Sequence, residues 1–464
     1  MRILPSILHN SPHSGSARRL VATHYTGSNG RKTNQGGAMA QQQANRHGSE
    51  QRHRTHAWIA IVATVVALML AVGAIWWAWA HHAHTPRPQA TTPALTATPS
   101  VTPSGSPSGA APTASPSPTA ADRAQEIVDG MSLDERAAQL VMTPLAAGTD
   151  PSAIRALIAD EHVGSVILMG NWTSGVAGVR EATEMLQSYA DGPTRVLVAT
   201  DQEGGQVQHL QGPGFETMPS EVTQGMMTLA NLQAASRGWG EQLHMAGVHV
   251  DLAPCVDTVT IDRASNAPVG ALDRDYGLDA AGNAQHAAAF VEGLRAAGVG
   301  AAAKHFPGLG AVTGNTDFTT DGIVDTTTTR NGPEVQAFAQ AIRAAEPGMV
   351  MISLATYTAI DPDEPAAFSP TVIDGMLRGD IGYGGVVISD SLSASAVSAI
   401  APAELGVRLV QAGGDLACVN DPAFTQPILD GLRARARGDA AFAERVTQSA
   451  RRVVALKLAL GLAQ

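Results

Sequence analysis

Two carboxylates and an adjacent Lys-His pair are the side chains of this sequence best suited to catalysis. Lys304 and His305 end the apolar run "GAAAKHFP", and a flexible, glycine-punctuated loop leads from them to Asp317. Asp390 ends a second apolar run, "GVVISD". Cleavage of a glycosidic bond requires two carboxyl groups on opposite sides of a pocket. On this interpretation Asp390 is the nucleophile and Asp317 the proton donor.

Further polar residues stand at comparable places in the chain. Asp201 precedes a Gly-Gly pair in "TDQEGGQVQ", where the backbone can turn sharply or approach a ligand, and Arg274 lies in the loop "ALDRDYG". Lys304 is one of only three lysines, so a role in solubility does not explain it. It could instead form a buried ion pair, or act as a Schiff-base nucleophile as in barrel aldolases. The structural alternatives are a helix cap for Asp390 and a surface salt bridge for Arg274.

The sequence predicts neither a metal nor a cofactor. Oxygen and imidazole donors are present, but no His-x-His or His-Glu-x-x-His spacing occurs. The lysine next to His305 would also repel a cation. No Gly-x-Gly-x-x-Gly motif follows a first strand, and no phosphate-binding P-loop is present.

The elements that must position these residues are short apolar runs separated by helical segments. "MSLDERAAQLV" contains a capping box, Ser132 and Glu135, that predicts a helix start. Continuous apolar runs are typical of parallel strands buried on both faces. Eight such runs in a body of this size predict an α/β fold, a (β/α)8 barrel, whose active site lies at the carboxyl ends of the strands. The runs are 140–145, 163–170, 195–201, 248–257, 300–307, 349–355, 385–390 and 414–419.

Cysteine usage and charge exclude other classes of protein. The only cysteines, Cys255 and Cys418, fall in the fourth and eighth runs, across the barrel from each other, so we expect no disulfide. The net charge is −11, although residues 1–56 carry eight Lys and Arg against one acid. The remainder is therefore strongly acidic, which argues against nucleic acid as a partner.

The segments before the body predict a membrane anchor. Residues 57–80 are free of charge and long enough to span a bilayer, with three tryptophans near one end. Residues 1–56 are predicted to be a disordered, basic cytoplasmic segment, and residues 81–121 a Pro/Ser/Thr-rich linker. The positive-inside rule then places the body, residues 122–464, outside the cytoplasm as a monomer on a single-pass anchor. Cleavage of a signal peptide after "AWA" is the alternative, and Met39 could be the true start.

Five motifs in order resemble a known family. "MSLDERAAQLV", "DQEGGQVQ", "DLAPCVD", "KHFPGLG" and "GVVISDSLS" are similar to glycoside hydrolase family 3, specifically its single-barrel bacterial β-N-acetylglucosaminidases. The resemblance covers residues 122–464. It implies a retaining exo-β-glycosidase that releases terminal N-acetylglucosamine from peptidoglycan-derived fragments. It also implies that Asp390 is the nucleophile, with sugar hydroxyls bound by Asp201, Arg274, Lys304 and His305.

The chain departs from the family pattern at the proton donor. The family's Asp-Ser-His triplet falls on Asn315-Thr316-Asp317, and Gln206 and His209 stand where the pattern has arginines. Our hypothesis is that Asp317 is the acid/base, with a raised pKa, and that Asn315 orients it. His209 then counts among the substrate-binding residues. The alternatives are a catalytically weak or inactive glycan-binding homologue and a β-glucosidase-like specificity.

Overall fold

The computed structural model of the protein describes residues 119–463. The predicted cytoplasmic segment, membrane span and nearly all of the predicted linker lie outside these residues. Within residues 119–463, no helix combines the length and the apolar character needed to cross a bilayer.

Eight parallel strands form the centre of the body, as the apolar runs predict. Each strand pairs with its neighbours in chain order, and β8 pairs with β1 through Val141–Ala417 and Met142–Cys418. A single bridge between Ile388 and Leu416 joins β7 to β8 and completes the ring. The strands are β1 (Val141–Ala146), β2 (Ser165–Met169), β3 (Leu197–Thr200), β4 (Val250–Asp251), β5 (Gly300–Phe306), β6 (Met349–Ile352), β7 (Val386–Ser389) and β8 (Ala417–Cys418).

Helices surround this ring. The predicted capping box is present, because Ser132 Oγ accepts from Glu135 N–H and Glu135 Oε2 accepts from Ser132 N–H. The α-helices are α1 (Ala120–Asp129), α2 (Leu133–Ala138), α3 (Arg155–Ala159), α4 (Gly175–Ser188), α5 (Glu221–Gln224), α6 (Leu229–Met245), α7 (Ala280–Ala296), α8 (Pro333–Ala345), α9 (Pro402–Gln411), α10 (Thr425–Gly438) and α11 (Ala440–Ala459), with a π-helix at Thr371–Asp380.

The strands are apolar on both faces because each face packs into a different core. Along β7, Val386 and Ile388 point into the barrel, whereas Val387 belongs to the layer between strands and helices. β5 alternates in the same way, with Ala302 inside. Successive side chains of a strand point to opposite faces, so two apolar cores require an uninterrupted apolar run.

The same alternation directs three predicted site residues to the interior of the barrel. Asp390 is two residues beyond Ile388, Lys304 two beyond Ala302, and Asp201 two beyond the inward-facing Ala199. All three side chains therefore continue the inward face past the carboxyl ends of their strands.

A register shift on β5 explains how two adjacent residues reach the same cavity. Ala303 pairs with Val350 and Phe306 with Ile352, so β5 carries one residue more than its partner across this interval. An extra residue of this kind re-aims side chains. Both Lys304 and His305 consequently line the interior.

The opposite end of the barrel is closed by the C-terminal segment. Val453 of α11 and Leu462 join the interior core. Lys457 is completely buried beside them, and its Nζ donates to Gln139 Oε1 at 2.7 Å. Burial lowers the pKa of Lys457 to about 7, because no carboxylate offsets the loss of water around the ammonium group.

Lys457 should make stability depend on pH. Between about pH 7 and 10 the unfolded chain binds a proton at this lysine that the folded chain lacks, so the free energy of unfolding should rise with pH, by up to about 1.4 kcal/mol per unit. Lys457→Met should remove this contribution. Urea unfolding of both proteins from pH 7 to 10 measures the difference in slope, and identical slopes would contradict the prediction.

Candidate active site

A cavity of about 410 Å³ lies at the carboxyl ends of the strands. The structure brings to it all the residues singled out from the sequence as catalytic or substrate-binding. The structure thus assembles the predicted site, while the individual catalytic roles stay predictions. The residues are Asp201, His209, Arg274, Lys304, His305, Asn315, Asp317 and Asp390.

A larger cavity, of about 750 Å³, lies at the other end of the barrel. Gly348 and Gly385, which line it, immediately precede β6 and β7. Barrel enzymes place their catalytic groups at the carboxyl end, and residues at the amino end serve stability. The smaller cavity is therefore the candidate active site.

A buried ion cluster forms one wall of the site. Lys304 Nζ lies 2.6 Å from Asp201 Oδ1 and 2.5 Å from Glu203 Oε1, and the lysine side chain is 1% exposed. Arg274 binds the same Glu203 carboxylate through two nitrogens, at 2.7 and 2.8 Å. Glu203 thus connects a strand residue, Lys304, to a loop residue, Arg274.

The cluster keeps its members charged. Burial would raise the pKa of Glu203, but Arg274 and Lys304 outweigh it and hold that pKa well below its usual range. Burial would likewise lower the pKa of Lys304, whereas Asp201 and Glu203 raise it well above the ordinary value. A Schiff-base nucleophile must be a neutral amine, so this environment argues against the aldolase alternative. The ion-pair alternative for Lys304 is confirmed.

Two further buried acids, Asp251 and Glu221, have raised pKa values. Burial raises the pKa of Asp251 to about 8, against a hydrogen bond from Gln202 N–H. Burial and the nearby Glu203 charge raise the pKa of Glu221 well above its usual range. A raised pKa disfavours the charged form of both acids.

His305 is held by a separate carboxylate. Its Nδ1 lies 2.7 Å from Asp257 Oδ2, and Asp257 Oδ1 accepts from Leu309 N–H at 2.7 Å. A carboxylate only accepts, so the His305 proton is on Nδ1 and Nε2 is left for a ligand. Asp257 therefore sets both the orientation and the tautomer of the imidazole.

The Gly-Gly pair after Asp201 forms a tight hairpin. Gln202–Gly204 pairs with Val207–Gln208, and Gly204 has a φ of +103°. A Cβ on Gly204 would lie 2.2 Å from the carbonyl oxygen of Pro219, so no other residue fits. The hairpin returns the chain so that His209 N–H donates to the carbonyl of Asp201, which places His209 on the rim of the cavity.

The loop that carries Asp317 is tied at two places. At its base, the N–H groups of Thr313 and Gly314 donate to the carbonyl of Gly322. At its tip, the carbonyl of Asp317 accepts from Ser395 N–H, in the segment that follows Asp390. Asn315 Oδ1 accepts from the Asp317 backbone N–H at 3.0 Å, so it orients Asp317 through the backbone rather than through the carboxylate.

Asp317 has the electrostatic environment expected of a proton donor. Burial, reinforced by the charge of Asp390, raises its pKa to about 6. Asp390 Oδ1 accepts from Ser391 N–H at 2.8 Å. The raised pKa of Asp317 is what a proton donor near neutral pH requires.

Within residues 119–463, two clusters have the composition of a metal site, but neither fits one. Cys255, Asp257 and His305 form the first, in which the imidazole nitrogen and the carboxylate already bind each other. The second contains Glu203, which is saturated by two cations. Both cysteines are free and buried, as the sequence predicts.

Sequence reasoning missed the residues that hold the functional side chains. The sequence assigns Glu203 no role in catalysis or sugar binding, although its place in "DQEGG" next to Asp201 is a signal. It assigns no such role to Asp257 either. Two residues on the rim, Ser393 and Asn420, are hydrogen-bonded to each other. They follow β7 and β8, and nothing else in the sequence indicates that they belong to the site.

Comparison with known proteins decides the family. Residues 132–456 match the model described as the Glycosyl hydrolase family 3 N terminal domain. The chain belongs to glycosyl hydrolase family 3. The family 3 prediction, the α/β barrel and the prediction of a glycoside hydrolase are thereby confirmed.

Three similar proteins are named as β-hexosaminidases or β-N-acetylhexosaminidases. A β-hexosaminidase of Tolumonas auensis is 32% identical over 294 residues, covering 60% of this chain and 82% of that protein. β-Hexosaminidase LpqI of Mycobacterium tuberculosis is 30% identical over 339 residues, covering 70% and 83%. The crystal structure of a β-N-acetylhexosaminidase from Beutenbergia cavernae has a TM-score of 0.68 and 42% identity, covering 70% of this chain and 98% of that one.

Glu203→Gln should destabilise this family 3 barrel by about 3–5 kcal/mol, because it leaves Lys304 and Arg274 undercompensated in a buried site. Glu184→Gln is the matched control, since Glu184 forms an exposed ion pair with Arg180 and should change stability by less than about 1 kcal/mol. Urea unfolding at pH 7 measures both. A Glu203→Gln protein as stable as the control variant would contradict the role given to the cluster.

Proposed function

We propose that this protein is a retaining exo-β-N-acetylglucosaminidase. One observation carries the proposal: a single cavity contains Asp390 at the end of β7 and, on the tied loop, Asp317 with a pKa of about 6. The β-hexosaminidase names of the relatives support N-acetylglucosamine as the sugar. They favour this function over a glycan-binding homologue.

The reaction then has two displacement steps. A carboxylate oxygen of Asp390 attacks the anomeric carbon while the bond to the leaving oxygen breaks and the Asp317 carboxyl group gives that oxygen its proton. Asp317, now ionised, removes a proton from water, whose oxygen attacks the anomeric carbon and releases Asp390. Asp317 thus acts first as acid and then as base.

The ion cluster has donors left over for the sugar. A lysine has three N–H groups, of which Asp201 and Glu203 take two, and Asp201 keeps a second carboxylate oxygen. His305 offers Nε2. These groups are held rigidly by Glu203 and Asp257, so they can bind hydroxyls without further ordering. We assign hydroxyl binding to Asp201, Lys304, His305 and Arg274, with His209 at the rim.

The setting of the enzyme belongs to the same proposal. The charge-free residues 57–80 and the Pro/Ser/Thr-rich linker support a single-pass anchor with the catalytic body outside the cytoplasm as a monomer. Peptidoglycan-derived fragments are the substrates found there. Protease treatment of intact cells tests the orientation, since a cytoplasmic body would resist digestion.

The deciding assay compares nitrophenyl N-acetylglucosaminide with nitrophenyl glucoside. We expect turnover of the first and little of the second. A preference for the glucoside would indicate a β-glucosidase-like specificity. Sugar binding without product on either substrate would indicate the glycan-binding alternative.

Asp317→Asn should affect substrates according to their leaving groups. Proton donation contributes roughly 10²–10⁴-fold, so kcat/KM should fall by that factor on a natural disaccharide and far less on an activated nitrophenyl glycoside. Equal loss on both would exclude the acid role. Asp321→Asn, at an exposed position of the same loop, is the matched control, and Asp390→Ala should abolish turnover of both substrates.

The pH profile should follow the same residue. Asp317 must be protonated for the first step, so kcat/KM on a disaccharide should fall as pH rises through about 6. The decline should approach tenfold per pH unit and should be absent in Asp317→Asn. A rate on the disaccharide that stays constant from pH 6 to 8 would contradict this assignment.

A further inference from the structure

Phe318 is an exposed aromatic side chain at the mouth of the active site. It is 81% exposed, the highest value among the large hydrophobic residues of the described chain, yet it lines the same cavity as Asp317 and Asp390. The protein has only eight phenylalanines, and aromatic residues make up 4% of the sequence. An aromatic ring at the mouth of a cavity offers an apolar face to a ligand.

The position of Phe318 relative to Asp317 defines which part of a substrate it can meet. A proton donor acts on the glycosidic oxygen, which joins the sugar being released to its leaving group. Asp390 and the ion cluster lie at the strand ends, on the cavity floor. Phe318 follows Asp317 and is largely in solvent, whereas Lys304 is buried, so we place its ring on the leaving-group side.

The backbone that carries the Phe318 ring is held in place by hydrogen bonds. Phe318 N–H donates to the carbonyl of Asn315 at 3.1 Å, and the loop tip is bound to Ser395. Beyond this tip, Ser393 Oγ donates to Asn420 Oδ1, and both residues line the cavity. The Asn420 amide also has N–H donors to offer. An aromatic face and a hydroxyl–amide pair therefore share one rim.

We propose that Phe318 is a specificity-determining platform that stacks against the leaving-group sugar. A pyranose ring has an apolar face of C–H groups and an edge of hydroxyls, which match the phenyl ring and the Ser393–Asn420 pair. The occupant is thus a second sugar ring, so the preferred substrate is a disaccharide or longer glycan. This inference rests on the proposed glycosidase function.

The test compares Phe318→Ala on two substrates of the same released sugar. On a β-linked N-acetylglucosaminyl disaccharide, kcat/KM should fall about tenfold, the size expected when one aromatic contact is lost. On methyl β-N-acetylglucosaminide, whose leaving group has no ring, it should change less than twofold. Phe318→Trp should restore the disaccharide rate. Met226→Ala is the matched control, because Met226 is 76% exposed and does not line this cavity.

Each result has a defined meaning. Equal loss on both substrates would mean that Phe318 only supports the Asp317 loop, and no loss on either would mean that the ring meets no substrate; both outcomes overturn the proposal. A wild-type protein that turns over no N-acetylglucosaminide would instead refute the proposed function.

A binding measurement distinguishes failure of the Phe318 proposal from failure of the proposed glycosidase function. Calorimetry on Asp390→Ala should show tighter binding of the disaccharide than of N-acetylglucosamine. Adding Phe318→Ala should weaken disaccharide binding about tenfold and leave monosaccharide binding unchanged. An unchanged advantage would overturn the platform whether or not the wild type is active.

Discussion

A lysine with almost no access to water, held between two carboxylates, is the interaction on which the active site depends. A buried charge is tolerated only when it is paired, so Lys304 requires both Asp201 and Glu203, and Glu203 in turn requires Arg274. These groups come from β5, the hairpin after β3 and a distant loop. The ion pairs among them hold these three parts of the chain together as one wall of the cavity.

The barrel supplies what this cluster needs. Parallel strands place every carboxyl end at one rim, and the inward alternation of β3, β5 and β7 carries Asp201, Lys304 and Asp390 onto the cavity floor. Burial raises the pKa values of the neighbouring acids Asp251 and Glu221. Outside the cluster, Asp257 pairs with His305 and orients its imidazole.

The carboxyl groups proposed for catalysis, Asp317 and Asp390, lie in different surroundings. Asp317 is mostly buried and faces the charge of Asp390, which raises its pKa to about 6. A residue on a free loop would titrate like any surface aspartate. The ties to Gly322 and Ser395 are therefore part of the chemistry, since they keep Asp317 out of water. Asn315 contributes by fixing the backbone of Asp317, and this gives the Asn-Thr-Asp triplet of this family 3 chain a physical role.

The sequence by itself determined the eight strands and the strand-borne residues Asp201, Lys304 and Asp390, because strands buried on both faces form continuous apolar runs that can be read directly. Only the tertiary structure decided the partners of those residues. Glu203 and Arg274 are far apart in the chain, and their pairing depends on how a hairpin and a loop fold over the rim. It also decided that Asp317 is partly buried while the next residue, Phe318, is exposed. Neighbouring loop residues have no fixed periodicity, so their burial follows from contacts made elsewhere in the fold.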